Sequence, residues 1–489
     1  MRHRDGHWLH VETAGTNLLG EPTVRGIVLN SRDVSERKAL EAQLTHQAFH
    51  DPLTGLANRV LFLDRVGHAL TLGRRQQQSL AVLFLDLDDF KVVNDSLGHA
   101  AGDRLLSAIA GRLLTCVRDS DTVARIGGDE FAILVEDATD DHGATMVAER
   151  IAAALQRPIL VQSQEVFMSA SIGIATATEE TAAADLLRNA DMAMYVAKSQ
   201  GKGRFERFEP RMYAAARERL ELQADLRQAL ERGDQFTIHY QPIVWLRTGE
   251  VTGVEALVRW MHPTRGLLLP LQFIPVAEET GLIAPLGAWV VREACRQVQE
   301  WQRGRPAGSP LTLTVNISGY QLQSDGVVDD IRGALAESGL DPSHLVLEIT
   351  ESVLMQHSDT MLERLRALKA IGVRLAIDDF GTGYSSLGYL QRFPIDILKI
   401  DKAFVDDVQS SGTESALVRA IIALGDTLRI QTIAEGIELQ RQLAGLQAMG
   451  CELGQGFFLA RPVTGAQIDA LLAAAGGGPA VIPLSAPVT

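Results

Sequence analysis

The sequence predicts a multidomain α/β chain: an α+β region with a mixed, antiparallel-rich sheet, followed by a (β/α)8 TIM-like barrel. Three observations carry that prediction. The 489 residues exceed one ordinary domain. Residues 51–208 mix strands and amphipathic helices without strict alternation. Residues 218–474 alternate short apolar runs with helical stretches, and about eight such runs are what a barrel needs.

Taken in order, Trp8-Leu9-His10-Val11 and Val24–Asn30 read as two strands joined by a Gly/Asn-bearing turn region. Two strands alone are marginal in water, so residues 1–34 should be poorly anchored. Ser35–Phe49 turns helical and charged, with Leu40 and Leu44 one turn apart, and reads as a short connecting helix or a dimerising one. Leu80–Leu85 is a buried strand, followed by helices near 103–117, 141–155 and 183–199 and a strand at Val166–Ala175. Met212 to about Arg232 reads as a helix rich in Ala, Leu, Glu and Arg, and residues 209–217 serve as the linker between the two regions. Barrel strands are expected near 237–244, 251–258, 312–317, 345–350, 373–378, 395–400, 430–435 and 452–456, the first two without a helix between them. Residues 475–489 are rich in Gly, Ala and Pro and are expected to be disordered.

Composition excludes several classes. A net charge of −15 argues against a nucleic-acid polymer or an anionic membrane as partner. Cys116, Cys295 and Cys451 are isolated, as in a reducing cytosol, so a cytoplasmic location is expected. No apolar run reaches the ~18 residues of a membrane span, and the polar start does not read as a signal peptide.

The stretch Thr122–Val135 carries the first chemistry. Gly127-Gly128 fits the two-residue turn of a hairpin, and Asp129 and Glu130 follow it at once. Adjacent strand residues point to opposite faces, so one acid can meet a metal while the other meets something else. Asp86 closes the strand Leu80–Leu85. Two carboxylates at adjacent strand ends suit a hard cation that takes phosphate oxygens as further ligands. Lys91, Lys198 and Lys202 are candidate phosphate contacts, and Asn94 with Asp103 offers a donor–acceptor set matched to a guanine edge.

Together, Asp51–Arg59 (DPLTGLANR), Asp86–Asp95 (DLDDFKVVND), Gly98–Asp103 (GHAAGD), Ile126–Phe131 and Tyr195–Gly201 (YVAKSQG) resemble a GGDEF-family diguanylate cyclase. The resemblance implies a palm-like nucleotidyl cyclase domain at 51–208 that joins two GTP into cyclic di-GMP and works as a homodimer through the linker helix at 35–50 and the domain itself. It implies Asp86, the Leu87 carbonyl and Asp129 as metal ligands and Glu130 as catalytic assistant at the 3′-hydroxyl or a metal. Asn94 and Asp103 would then read guanine, with Lys91, Lys198 and Lys202 on phosphates. Lys202 stands where relatives often carry Arg, and keeps the charge without the bidentate fork. Arg118 and Asp121 resemble the family's RxxD product-inhibition site, though the same residues also suit a plain turn. Arg4–Trp8 and Gly26–Arg37 resemble the last strands of a PAS sensor domain, which makes residues 1–34 the C-terminal remnant of one.

In the second half, polar residues recur at the carboxyl ends of apolar strands: Glu255, Asn316, Glu348, Asp378, Asp379, Lys399, Glu435 and Gln455. Active sites of barrels gather there. Buried carboxylates are costly unless paired or on a metal, so their convergence implies metal ions. Glu255–Trp260 (EALVRW), Asn316–Ser318, Glu348–Glu351, Asp378–Leu387 (DDFGTGYSSL), Lys399–Asp401 and Ala434–Glu438 resemble an EAL-family phosphodiesterase over 218–474. The resemblance implies hydrolysis of cyclic di-GMP to pGpG with two Mg2+ or Mn2+ held by Glu255, Asn316, Glu348, Asp378 and Asp379. Lys399 and Glu435 would handle the attacking water, Gln241, Arg259 and Gln455 would position substrate, and Glu351 would brace the 378–387 loop. Three functions remain in view: a bifunctional enzyme, a net phosphodiesterase with a GTP-sensing first domain, and a silent cyclic di-GMP receptor.

Overall fold

A computed structural model describes the chain except residues 2–3, 6–7, 22, 24, 77–78, 137–140, 163, 179–180, 304, 306–309, 355–358, 382–391, 407–412, 476–478 and 485–489. The chain divides into two compact units, Met1–Glu218 and Arg219–Thr489. The division falls inside the helix Arg211–Arg232.

In the first unit, strands β1 (Val11–Leu18) and β2 (Gly26–Asp33) pair antiparallel along their whole length. Each begins later than the sequence suggests. Trp8, Ile27 and Leu29 are exposed, so the ribbon buries little apolar surface of its own. Gly6 and His7 of the PAS-like stretch and Val24 of the expected second strand lie outside the described residues.

The main sheet of this unit joins β3 (Ala81–Leu87), β4 (Thr122–Gly127), β5 (Glu130–Val135), β8 (Ala170–Thr176) and β9 (Phe205–Arg207) in the order β4-β5-β3-β8-β9. All neighbours are antiparallel except β8 and β9. Alternation along β3 and β5 feeds two cores: Leu83, Leu85, Phe131 and Ile133 face one way, and Val82, Phe84, Ala132 and Leu134 the other. Helices cover both faces, which is why these strands read as unbroken apolar runs. The expected strand Val166–Ala175 is two elements. A small hairpin of β6 (Ile159–Val161) and β7 (Gln164–Val166) precedes β8.

The second unit is a closed barrel. Strands β10 (Phe236–Trp245), β11 (Val251–His262), β13 (Thr312–Asn316), β14 (Leu345–Thr350), β15 (Arg374–Phe380), β16 (Ile397–Ile400), β17 (Gln431–Ala434) and β18 (Leu453–Gly454) form the ring. The short β12 (Gly266–Leu268) and β19 (Val463–Thr464) extend its edges. β10 runs antiparallel to both β11 and β18, because no helix separates β10 from β11. Inside, Ile243, Val346, Ala376, Ile397, Ile433 and Leu453 form one apolar layer. Helices pack outside on residues such as Ala256, Val315 and Leu347.

Residues 479–484 of the tail depart from expectation, while 476–478 and 485–489 lie outside the described residues. Val251 N donates to Ala480 O at 2.8 Å, and Ile482 N donates to Gly249 O at 2.8 Å. Ala480 and Ile482 are buried against the barrel core. Two apolar side chains and two backbone bonds order this segment despite its composition. No helix among the described residues is long and apolar enough to cross a membrane.

Candidate functional site

The barrel mouth follows from strand periodicity. Side chains two residues apart on a strand share a face. Stepping two residues from the interior layer toward the carboxyl ends leads from Val346 to Glu348, Ala376 to Asp378, Ile397 to Lys399, Ile433 to Glu435 and Leu453 to Gln455. On antiparallel β10 the step runs backwards, from Ile243 to Gln241, which pairs in register with Glu255. One greasy layer therefore forms the floor of a polar one.

Lys399 stands at the centre of that polar layer and is 1% exposed. Its Nζ contacts the carboxylates of Glu348 and Glu435 directly. Glu255 Oε2 lies at 3.5 Å and Asp378 Oδ1 at 3.7 Å from it. Burial disfavours the ammonium, but the surrounding carboxylates overcome it and hold Lys399 firmly charged. Burial likewise pushes Glu255 up, yet Lys399 and hydrogen bonds from Gln455 and Asn316 bring it below the usual carboxylate range. Those bonds are 2.7 Å from Gln455 Nε2 and 2.8 Å from Asn316 Nδ2. Burial wins at Glu348, which rises well above its ordinary value, and at Glu435, which is pushed up to about 8. One ammonium cannot neutralise four acids.

This donor set fits divalent cations. Oxygens of Glu348, Asp378 and Glu435 lie within 4.8 Å of one another. Glu348 Oε2 and Gln455 Oε1 are buried without a hydrogen-bond partner among the described residues. Hard, anionic oxygens with unfilled lone pairs suit Mg2+ or Mn2+. The sequence groups Glu435 with Lys399 as a water-handling residue; geometrically its carboxylate also belongs to the metal-sized cluster.

Asp379 is turned differently from Asp378. It adopts a left-handed φ of 53° beside a break in the β15–β16 register. Such backbone is costly for a residue with a side chain and is found at functional sites. Burial, Asp378 and a hydrogen bond with Asp401 raise Asp379 to about 6. Glu351 Oε2 accepts from Gly381 N at 2.8 Å. Residues 382–387 of the loop that Glu351 was expected to brace lie outside the described residues. Gln241 donates to Ala460 O at 3.0 Å, and Arg259 to Val258 O at 2.9 Å. Both are buried at the mouth.

The first unit gathers a smaller set. Asp86 pairs in register with Glu130, and Leu87 N donates to Asp129 O at 3.3 Å. Lys198 reaches Asp86 Oδ2 at 2.6 Å. Burial raises Asp86 despite Lys198, and burial with the Asp191 carboxylate raises Glu130. The hairpin turn is Gly128-Asp129 and not Gly127-Gly128, since Gly127 still pairs with Glu130. A register shift after Arg125 displaces the turn by one residue, so Asp129 sits in the turn itself. Arg125, not singled out by sequence, grips this turn. Its Nε and Nη2 donate to Gly128 O at 3.0 and 2.7 Å while Nη1 holds Asp51 at 3.1 Å.

Other predicted residues stand apart. Asn94 Oδ1 lies where a Cβ on Gly102 would approach to 2.0 Å, so that glycine makes room for Asn94. Asp103 and Lys91 are exposed. Lys202 Nζ binds Asp89 Oδ1 at 2.7 Å. Arg118 and Asp121 form a turn in which Asp121 accepts from Arg118 N at 2.9 Å and Glu136 N at 3.2 Å. That turn is at the far end of β4, on the order of 20 Å from Gly128 at about 3.3 Å per strand residue.

These two sites, on these two folds, define a tandem cyclase-like and barrel phosphodiesterase-like chain. The chain belongs to the GGDEF and EAL families: the model for the diguanylate cyclase GGDEF domain matches residues 48–204, and that for the EAL domain residues 223–462. It is 46% identical over 432 residues to the bifunctional diguanylate cyclase/cyclic di-GMP phosphodiesterase MucR of Pseudomonas aeruginosa, covering 88% of this chain and 62% of MucR. It is 40% identical over 455 residues to the uncharacterized protein Rv1354c of Mycobacterium tuberculosis, covering 93% and 72%. The chain spans 62%, 54% and 55% of MucR, a Caulobacter vibrioides signalling protein and the phosphodiesterase NbdA of P. aeruginosa. Among solved structures, the cGMP-bound EAL enzyme Bd1971 aligns with a TM-score of 0.51 at 28% identity, over 64% of this chain and 85% of that one. The cyclic di-GMP-bound S helix–GGDEF–EAL chain of Vibrio cholerae LapD shares the fold, with a TM-score of 0.55 at 21% identity over 86% and 99%.

Proposed function

We propose that this chain both makes and degrades cyclic di-GMP. The first unit would condense two GTP, and the barrel would hydrolyse cyclic di-GMP to pGpG. The observation that carries the hydrolytic half is the cluster of Glu255, Glu348, Asp378 and Glu435 around Lys399 at the barrel mouth, and what supports the synthetic half is Asp86 brought beside Glu130 and the Asp129 turn. A binding protein gains nothing from so costly a group of buried acids.

Mg2+ or Mn2+ would be held in the barrel by Glu255, Asn316, Glu348, Asp378, Asp379 and Glu435, and in the first unit by Asp86, the Leu87 carbonyl and Asp129. Bound there, the ions supply neutralisation of phosphate charge and acidification of the attacking hydroxyl or water. Glu435, in contact with Lys399 in the same cluster, would take a proton from the attacking water. Lys399 keeps the acids from driving one another apart. Gln241, Arg259 and Gln455 orient the substrate, and Glu351 fixes Gly381. In the first unit Lys91, Lys198 and Lys202 take phosphates, Asn94 and Asp103 take guanine, and Glu130 assists at the 3′-hydroxyl. Condensing two GTP needs two copies face to face, so the cyclase acts as a homodimer that employs the helix Ser35–Phe49. Arg118 and Asp121 bind product, residues 1–34 close a PAS sensor, and the enzyme works in the cytoplasm.

The Lys198–Asp86 pair favours a second reading, in which the first unit binds GTP only to regulate hydrolysis. Assays of wild type, Glu255→Ala and Asp129→Ala with GTP and with cyclic di-GMP separate the two. Loss of GTP consumption in Asp129→Ala alone and of pGpG in Glu255→Ala alone supports the bifunctional reading. Wild type that consumes neither nucleotide with Mg2+ or Mn2+ overturns both.

A further inference from the structure

Beneath the predicted phosphate-binding loop of the first unit lies a buried acid with no role in the reading above. Asp88 is 5% exposed. Its Oδ1 accepts from Ser171 Oγ at 2.7 Å, and its Oδ2 accepts from Ser169 Oγ at 2.8 Å and Gly203 N at 2.9 Å. Its own N–H donates to Ser169 O at 3.0 Å. The carboxylate therefore ties the end of β3 to β8 and to the loop after the helix Ala183–Ser199.

That loop leaves its helix by a Schellman turn. Gly201 N donates to Lys198 O and Lys202 N to Ala197 O, both at 3.3 Å. Gly201, Lys202 and Gly203 all have positive φ, of 115°, 59° and 60°. For Lys202 this is strained backbone that its surroundings must enforce. The helix-side bonds are long. The stronger restraint is the charge-assisted bond from Gly203 N to Asp88, one residue beyond Lys202.

We propose that Asp88 is a positioning residue of the nucleotide site: by anchoring Gly203 it holds Lys202 where its ammonium can meet the phosphates of a bound nucleotide. This rests on reading the first unit as a GTP site. Asp88 itself touches no nucleotide. It acts through the backbone at Lys202, whose Nζ rests on Asp89 in this structure.

The test is a double-mutant cycle on the full chain. Binding of a non-hydrolysable GTP analogue with Mg2+ is measured by calorimetry for wild type, Asp88→Ala, Lys202→Met and the double variant. Each single change is expected to weaken binding about tenfold, and the double variant about tenfold as well, not a hundredfold. Asp88→Asn, whose oxygen still accepts from Gly203 N, should recover most of the affinity. Should Asp88→Ala fail to fold, Ser169→Ala is run through the same cycle, with about a twofold non-additive loss expected. Additive losses overturn the proposal and leave the GTP site standing, because a merely structural residue weakens binding whether or not Lys202 is present. Wild type that does not bind the analogue overturns the site and the proposal together.

Discussion

The two sites use the same kind of residue in opposite settings. In the barrel, Glu255, Glu348 and Lys399 are sealed over an apolar layer, and every strand of the ring aims a side chain at the same mouth. In the first unit, half-buried Asp129 sits in the hairpin turn, and Asp86 is paired with Lys198. The barrel encloses its site because every ring strand contributes a side chain to one polar layer seated on the interior apolar one. The open sheet, covered by helices on both faces, presents its acids only at strand ends and at a turn. The difference predicts that hydrolysis is complete within one chain, whereas condensation waits for a second.

The largest effect expected is at Glu348. Glu348→Gln should lower pGpG production by at least about 10²–10³-fold while GTP consumption stays unchanged. Equal loss of both activities would show that the sites are not independent.

Lys399→Met comes next. Without the ammonium, the buried acids repel one another, and the barrel should lose about 3–5 kcal/mol of stability in chelator. Added Mn2+ should restore part of it, read as a rise in unfolding temperature. The comparable change in the first unit, Lys198→Met, should move the unfolding temperature much less, since Lys198 is partly exposed.

A pH series sharpens the contrast. Glu435 is raised to about 8 in the folded chain. Between the ordinary carboxylate range and that value, the folded state keeps a proton that the unfolded state has lost. Metal-free stability therefore falls as pH rises across this window, by at most about 1.4 kcal/mol per pH unit for this group. Metal competes with that proton, so stabilisation by Mn2+ should be larger at pH 8 than at pH 6. Chemical denaturation with and without Mn2+ checks both signs.

A smaller effect is expected at Gly102. Gly102→Ala drives a methyl into Asn94 and should raise the KM for GTP severalfold, with hydrolysis of cyclic di-GMP untouched. An unchanged KM would separate Asn94 from nucleotide recognition.

Much of the barrel was legible because each strand is an apolar run ending in one polar residue, and the two-residue step from floor to mouth is written in the sequence. Val346 and Glu348, or Ile397 and Lys399, show it within three positions. The first unit was harder. The helix Arg59–Gln76 buries Phe62, Val66, Ala69 and Leu70, a spacing that sequence reading could have used. The turn at Gly128-Asp129 was not legible, because a one-residue register shift leaves no mark in composition. Asp88 was hidden for another reason: its partners Ser169, Ser171 and Gly203 are distant in sequence and meet only once β8 pairs with β3. Composition misled at residues 479–484, because Gly, Ala and Pro dominate the tail while Ala480 and Ile482 anchor this stretch.

The most direct test follows pGpG release from cyclic di-GMP as Mn2+ is titrated into the chain at successive dilutions. A rate per chain that requires Mn2+, saturates with it, and does not change on dilution is the predicted result. Hydrolysis that persists in chelator or in Glu348→Gln, or a rate per chain that collapses on dilution, would contradict a self-contained metal site at the barrel mouth.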